Sequence, residues 1–302
     1  MKILIGVDGS ASSLDAVRMV GRLIDPAADE IAIYFSPAQL EHQLSGRPHS
    51  IVEGAAAALF EETCRILPRS AAAKKMEMIA SSKPAAVGIL ESAAGWHADL
   101  VVVGARGNGS LERLLLGSVS RAVLHGAALP VLVVRTPPAD DRGLGVLVCH
   151  HPQSAAAVAA ALGRFHWPAG TSGRVIGVTE SLLAGPLPAW LEKRVRDPDA
   201  AAIAQAWEKE HDDEVTALGG VLDGFRRTLP AAFHGGEPIV AEGNPGEKIV
   251  ATAKRDGDDL IVVGRTPTDT FSRWLLGSTS EAVLAHSHAS VLVVPVEKKP
   301  AA

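Results

Sequence analysis

Hydrophobic and polar positions along the chain follow two alternating rhythms. Short unbroken apolar runs are separated by longer stretches in which apolar residues return every three to four positions. Runs rich in Val and Ile with no polar alternation predict strands buried on both faces, as in a parallel sheet covered by helices. In the first part of the chain these runs are KILIGV, EIAIYF, MEMIA, DLVVVG and PVLVV. The helical stretches between them are SSLDAVRMVGRLI, VEGAAAALFEETCRIL, PAAVGILESAAGW and LLLGSVSRAVLHG. Alternation of strand and helix predicts an open five-stranded parallel α/β sheet with right-handed crossovers and helices on both faces.

The pattern occurs twice. Residues 99–134 and 259–294 align without a gap, and half of the aligned positions are identical. Upstream, Ser82-Lys83-Pro84 before VGILESA matches Asn244-Pro245-Gly246 before EKIVATA, and Ile3-Leu4-Ile5 matches Val146-Leu147-Val148. Self-similarity of this length marks a duplicated unit. Between the copies, Arg135 to Gly143 is rich in Pro and charge and ends in Gly, which is linker chemistry. The expected domains are 1–138 and 144–297. The second copy carries a longer middle segment, from about Glu180 to Leu229, with a helical stretch from Asp199.

Composition narrows the function classes. The 302 residues are 47% hydrophobic, 21% charged and 4% aromatic, so the cores are built from small aliphatic side chains. A net charge of -5 argues against nucleic acid or a membrane surface as partner, since both are polyanions. Two cysteines, Cys64 and Cys149, give neither a disulfide framework nor a metal-ligand spacing. The first apolar run reads as a strand rather than a signal peptide, and no run approaches a membrane span, so a cytoplasmic protein is expected.

Candidate chemistry lies where the fourth strand ends. GARGNGSLERLLLGS spaces Gly104, Gly107 and Gly117-Ser118 as G-x2-G-x9-G-S. Glycine at a strand end allows a sharp turn and close approach of backbone to a ligand. Gly117-Ser118 opens a helical stretch whose free amides and dipole favour a phosphate, with the Ser118 and Ser120 hydroxyls as further donors. Asp8 ends the first strand beside the same crevice, placed for ribose hydroxyls or a phosphate-bound cation, or else for a helix-start turn. Ser10, Ser12 and Ser13 read as helix-start residues. His150-His151 and His286-Ser287-His288 form no spaced metal-ligand set, and Glu208 to Glu214 reads as a solvated helix face.

With ILIGVDGSASS at the start, the Pro84 segment and DLVVVGARGNGSLERLLLGSVSRAVL followed by PVLVV, the chain resembles a tandem member of the universal stress protein family over both copies. The resemblance implies a Rossmann-like sheet of the adenine nucleotide alpha hydrolase type and binding of ATP, or of AMP or ADP in its place, with Mg²⁺. By motif, Gly104, Gly107, Gly117, Ser118 and Ser120 hold the phosphates. Asp8 lies near the ribose and the metal, and Val103 with Tyr34 or Phe35 lines the adenine. It also implies that the apolar last strands of the copies pair antiparallel within the chain, with a homodimer of the whole chain compatible.

The second copy departs from this pattern. Gly264, Gly277, Ser278 and Ser280 remain, but Gly107 is matched by Pro267, Asp8 by His151 and Gly9 by Pro152. Proline lacks an amide donor and fixes φ, so weak or no nucleotide binding is expected there. The expected function is a regulatory or adaptor stress protein with one competent site in the first copy. The alternatives are a nucleotide-independent scaffold and a slow ATPase, the latter lacking an identifiable general base.

Overall fold

A computed structural model describes residues 1–37, 49–67, 75–106, 116–138, 142–179, 198–265 and 277–296. The first half contains β1 (Lys2–Gly6), α1 (Ala11–Leu23), β2 (Glu30–Phe35), α2 (His49–Ile66), β3 (Lys75–Ala80), α3 (Ala85–Trp96), β4 (Leu100–Gly104), α4 (Ser118–Gly126) and β5 (Val131–Val134). The second half contains β6 (Gly145–Cys149), α5 (Ala155–Leu162), β7 (Ser172–Thr179), α6 (Pro198–Arg226), β8 (Ile239–Glu242), α7 (Pro245–Asp256), β9 (Leu260–Arg265), α8 (Ser278–His286) and β10 (Ser290–Pro295). The strands of the first half match the apolar runs read from the sequence. The last helix of the first half opens at Ser118, behind Gly117, rather than in the leucine run before it.

All ten strands form one sheet in the order β3-β2-β1-β4-β5-β10-β9-β6-β7-β8. Neighbours are parallel except at the centre, where β5 and β10 run antiparallel with Val133 opposite Val291 and Leu132 opposite Leu292. The apolar edge strand of each half is thus covered by that of the other, which removes two exposed edges that would otherwise template aggregation. The order is palindromic, so the halves are related by a pseudo-twofold axis between β5 and β10. Their carboxyl edges point in opposite directions.

Helices cover both faces. One core layer collects α1, α2, α5 and α6, through residues such as Val17, Leu23, Leu162 and Phe225. The other collects α3, α4, α7 and α8, through Ile89, Leu124, Ile249 and Leu284. Each layer runs through both halves without interruption. β1, β4, β5, β6 and β9 are enclosed between these layers, and at that depth only aliphatic residues avoid a desolvation cost.

An aspartate before the fourth strand of each half fastens its neighbour. Asp99 accepts the Lys2 amide at 2.7 Å, and Asp259 accepts the Gly145 amide at 2.8 Å. Asp99 also pairs with Arg164 of the second half at 2.8 Å, and Arg142 of the connector grips Asp259 with both terminal nitrogens. Among the described residues no helix is long and apolar enough to cross a membrane.

Candidate functional site

In the first half the strand order reverses between β1 and β4: β1 leads to β2 on one side, and β4 leads to β5 on the other. A crevice opens at the carboxyl ends of strands at such a switch point. Asp8 and Gly9 follow β1 there, and Gly104 ends β4.

The β1–α1 turn is built from short polar side chains. The Asp8 carboxylate accepts the Ser10 amide on Oδ1 at 3.0 Å, closing an Asx turn. Gly9 sits at φ 78°, a backbone state that an L side chain resists and that proline cannot adopt, so Pro152 forces a different turn in the second half. Ser10, not Asp8, caps α1, accepting the Ser13 amide at 3.2 Å. Asp8 remains exposed, and its Oδ2 has no hydrogen bond among the described residues.

The β4–α4 side meets this turn closely. A Cβ on Gly104 would lie 2.6 Å from the Ser12 backbone carbonyl, so only glycine lets β4 end against the start of α1. The Ser12 hydroxyl accepts the Arg106 amide at 3.2 Å, and the Gly117 amide donates to the Ala105 carbonyl at 2.8 Å. These bonds bring the two ends of the connecting loop together. Gly107, expected to hold phosphate, lies outside the described residues. Gly117 is the N-cap of α4, and among the described residues no side chain caps the helix, which leaves its first-turn amides open to an anion. Ser118, the first residue of α4, is exposed at this end.

Other expected site residues are committed to the interior. Ser120 is 4% exposed, and its hydroxyl donates to the Gly104 carbonyl at 2.6 Å. Its single proton therefore holds β4 to α4 and is not free for a phosphate. Val103, Tyr34 and Phe35 are 3%, 1% and 5% exposed, so their side chains present almost no open wall to a base. The Tyr34 hydroxyl presses on Gly88 of α3 and has no hydrogen bond. Burial pushes its pKa up, and the Ser81 and Ser36 hydroxyls beside it pull the other way.

The second half repeats part of this frame at the opposite end of the molecule. Gly277 caps α8 without a side-chain partner, and Ser280 donates to Gly264 at 3.3 Å. Pro267 lies outside the described residues. His150 packs against Phe225 with ring centroids 5.1 Å apart, and burial, with His151 beside it, holds its pKa below the ordinary imidazole value. Among the described residues, no three His, Cys, Asp or Glu side chains gather as metal ligands. Burial, aided by Asp258, pushes the Cys149 thiol far up, which leaves it a packed and unreactive group.

Three residues that fasten these helices and loops carried no distinctive sequence signal. Ser12 reads as one of three helix-start serines, yet its hydroxyl ties the two loops together. Arg135 reads only as the start of the Pro-rich linker, and Arg265 falls in no motif. In the structure Arg135 donates to the Leu284 carbonyl at 2.7 Å, and Arg265 donates to the Leu124 and Ala127 carbonyls at 2.8 Å each.

Comparison with known proteins agrees with this architecture. The family model of the universal stress protein family matches residues 1–135 and 177–295. The unmatched stretch holds β6, α5 and the start of β7, which occupy the places of β1, α1 and β2 in the second half. A universal stress protein of Mycolicibacterium smegmatis is 29% identical over 308 residues, covering 97% of this chain and 96% of that protein. A Mycobacterium tuberculosis universal stress protein is 33% identical over 135 residues, covering 44% of this chain and 45% of its own. A solved universal stress protein from Archaeoglobus fulgidus superposes with a TM-score of 0.58 at 21% identity, covering 98% of both chains, and so shares the fold. On its repeat, its sheet and these matches, the chain belongs to the universal stress protein family.

Proposed function

We propose that residues 1–138 and 144–297 form two domains, that the first binds an adenine nucleotide, and that the protein acts as a regulatory or adaptor stress protein. The reading is ATP with Mg²⁺, with AMP or ADP as related ligands. The observation that carries it is the α4 N-terminus, capped by a glycine with no side chain to satisfy its amides, beside the switch-point crevice. Ser118 would bind phosphate through its backbone amide and hydroxyl, joined by Gly107, while Gly104 and Gly117, whose own amide is held by the Ala105 carbonyl, would shape the turn that brings the phosphate close. Asp8 keeps one carboxylate oxygen on its own turn and has the other for a ribose hydroxyl or a nucleotide-bound cation. A divalent ion held there would neutralise phosphate charge. The chain's own residues would fix the phosphate position.

The burial of Ser120 and Tyr34 narrows this reading: recognition would come from backbone amides and Asp8 more than from hydroxyls or an aromatic wall. The second domain replaces Asp8 with His151 and Gly107 with Pro267, which supports weak or absent nucleotide binding there. Among the described residues no histidine or buried carboxylate stands at the crevice as a general base, so the nucleotide would serve as a bound effector rather than a rapidly consumed substrate.

Ser118→Pro removes the amide and the hydroxyl of the helix-opening residue together. Gly117 already has φ -63° and ψ 156°, the extended state favoured before proline, and proline is well tolerated at the first helical position. The variant should keep the melting temperature of the free protein and lose roughly tenfold or more in MgATP affinity by calorimetry. Ser278→Pro, the same change in the second domain, should leave that affinity alone. A Ser118→Pro protein that binds MgATP like the wild type would sink the assignment.

A further inference from the structure

The helices with open N-termini are each held at the other end by the opposite half of the molecule. α4 begins at Ser118 beside the first crevice, and the carbonyls near its C-terminus, Leu124 and Ala127, receive both terminal nitrogens of Arg265 at 2.8 Å each. Arg265 is the last residue of β9, in the second half. In return Arg135, directly after β5 in the first half, donates to the Leu284 carbonyl of α8 at 2.7 Å, and its own amide donates to the Ser290 hydroxyl at 3.1 Å. Leu124 and Leu284 are equivalent in the repeat; Arg135 and Arg265 are not. Two unrelated positions therefore reach the same carbonyl in the two copies, which simple duplication does not explain.

The antiparallel β5–β10 seam makes this crossing possible, because it sets the carboxyl edge of each half beside the amino edge of the other. The helix ends nearest the seam accept what the neighbouring strand end supplies. Helix C-terminal carbonyls carry partial negative charge, so a half-buried guanidinium is well matched to them. α4 has only nine residues, about 13 Å of helix, so its far end lies close enough to govern how its N-terminus is held.

We propose that Arg265 is a positioning residue for the first nucleotide site: by clamping the C-terminal end of α4 it fixes the phosphate-facing amides, so that affinity in one domain depends on the other. Arg135 is its counterpart for α8. The consequence for affinity rests on the nucleotide reading above; the clamp itself does not. A degenerate second domain then keeps a role, as the support that holds the competent site in register.

The test compares wild type, Arg265→Met, Arg265→Lys and, as a control for a lost arginine contact, Arg142→Met, which breaks the pair between the connector and Asp259, away from α4. Amide exchange across α4 is measured in the free protein and MgATP affinity by calorimetry. Arg265→Met should speed exchange in α4 and weaken MgATP about five- to tenfold, with Arg265→Lys recovering part of both. Arg142→Met should lower the melting temperature with affinity unchanged. Equal affinity in Arg265→Met and wild type, or an equal loss in Arg142→Met, would overturn the coupling. If the wild type binds no MgATP, the nucleotide reading and the affinity claim fall together. Unchanged α4 exchange in Arg265→Met and Arg265→Lys would overturn the clamp itself.

Discussion

At the scale of single residues, the first domain spends its small polar side chains on turns. Ser10 accepts the Ser13 amide and Ser13 returns its hydroxyl to the Ser10 carbonyl at 2.9 Å. Both are buried, so neither lost bond is replaced by water without rearrangement. Ser10→Ala should cost about 1 kcal/mol of stability, read as a fall in the urea midpoint at unchanged slope. The candidate site was partly legible at this scale. Gly117 and Asp8 were readable because each answers to a local backbone demand; Gly104 was readable from its motif spacing, although what requires glycine there is the Ser12 backbone, far along the chain. Ser120, Val103 and Tyr34 sit at the motif or strand-end positions, but burial decides their availability, and burial is a property of neighbours far along the chain.

At the scale of elements, the first half's strands and their order of appearance followed from apolar runs, because the central strands are enclosed on both faces and admit few polar residues. Helix starts were less legible: α4 begins four residues later than its leucine run suggested, since the Gly117 cap overrides hydrophobic pattern. The fastening of β1 to β4 was not visible at all, because Asp99 and Lys2 are far apart in sequence. Burial alone would raise the Asp99 pKa, but the Arg164 hydrogen bond, the Lys2 amide and nearby positive charge outweigh it and hold it below the usual carboxylate range. A carboxylate depressed in the folded state contributes stability that is fully present above its unfolded pKa of about 4 and is lost as pH falls through the folded value. Denaturant midpoints should therefore fall with acidification below about pH 4, and Asp99→Asn should flatten that fall while lowering the midpoint at pH 7. An unchanged acid limb in the variant would remove Asp99 from the account.

At the scale of the whole molecule, the two halves share one sheet and two unbroken core layers. Leu132 and Leu292 face one another across the seam at 1% and 0% exposure, and Arg164, Arg135 and Arg265 all cross between halves. A seam of this kind couples unfolding. Calorimetry should show one transition with equal calorimetric and van't Hoff enthalpies, and Leu132→Ala should lower it as a whole, by about 2–5 kcal/mol, without splitting it. Two resolved transitions in the wild type would mean that the halves stand alone.

The amino-acid sequence by itself determined the duplication, the strands and the glycine-rich turn, since each is written in residues near one another or in a pattern repeated along the chain. Only the tertiary structure decided which site side chains stay open, where Asp99 finds its partners and which arginine reaches which helix. Those outcomes depend on burial and on contacts across the β5–β10 seam, where residues more than a hundred positions apart meet. Local chemistry specifies the parts; long-range packing sets which of their polar groups remain free to act.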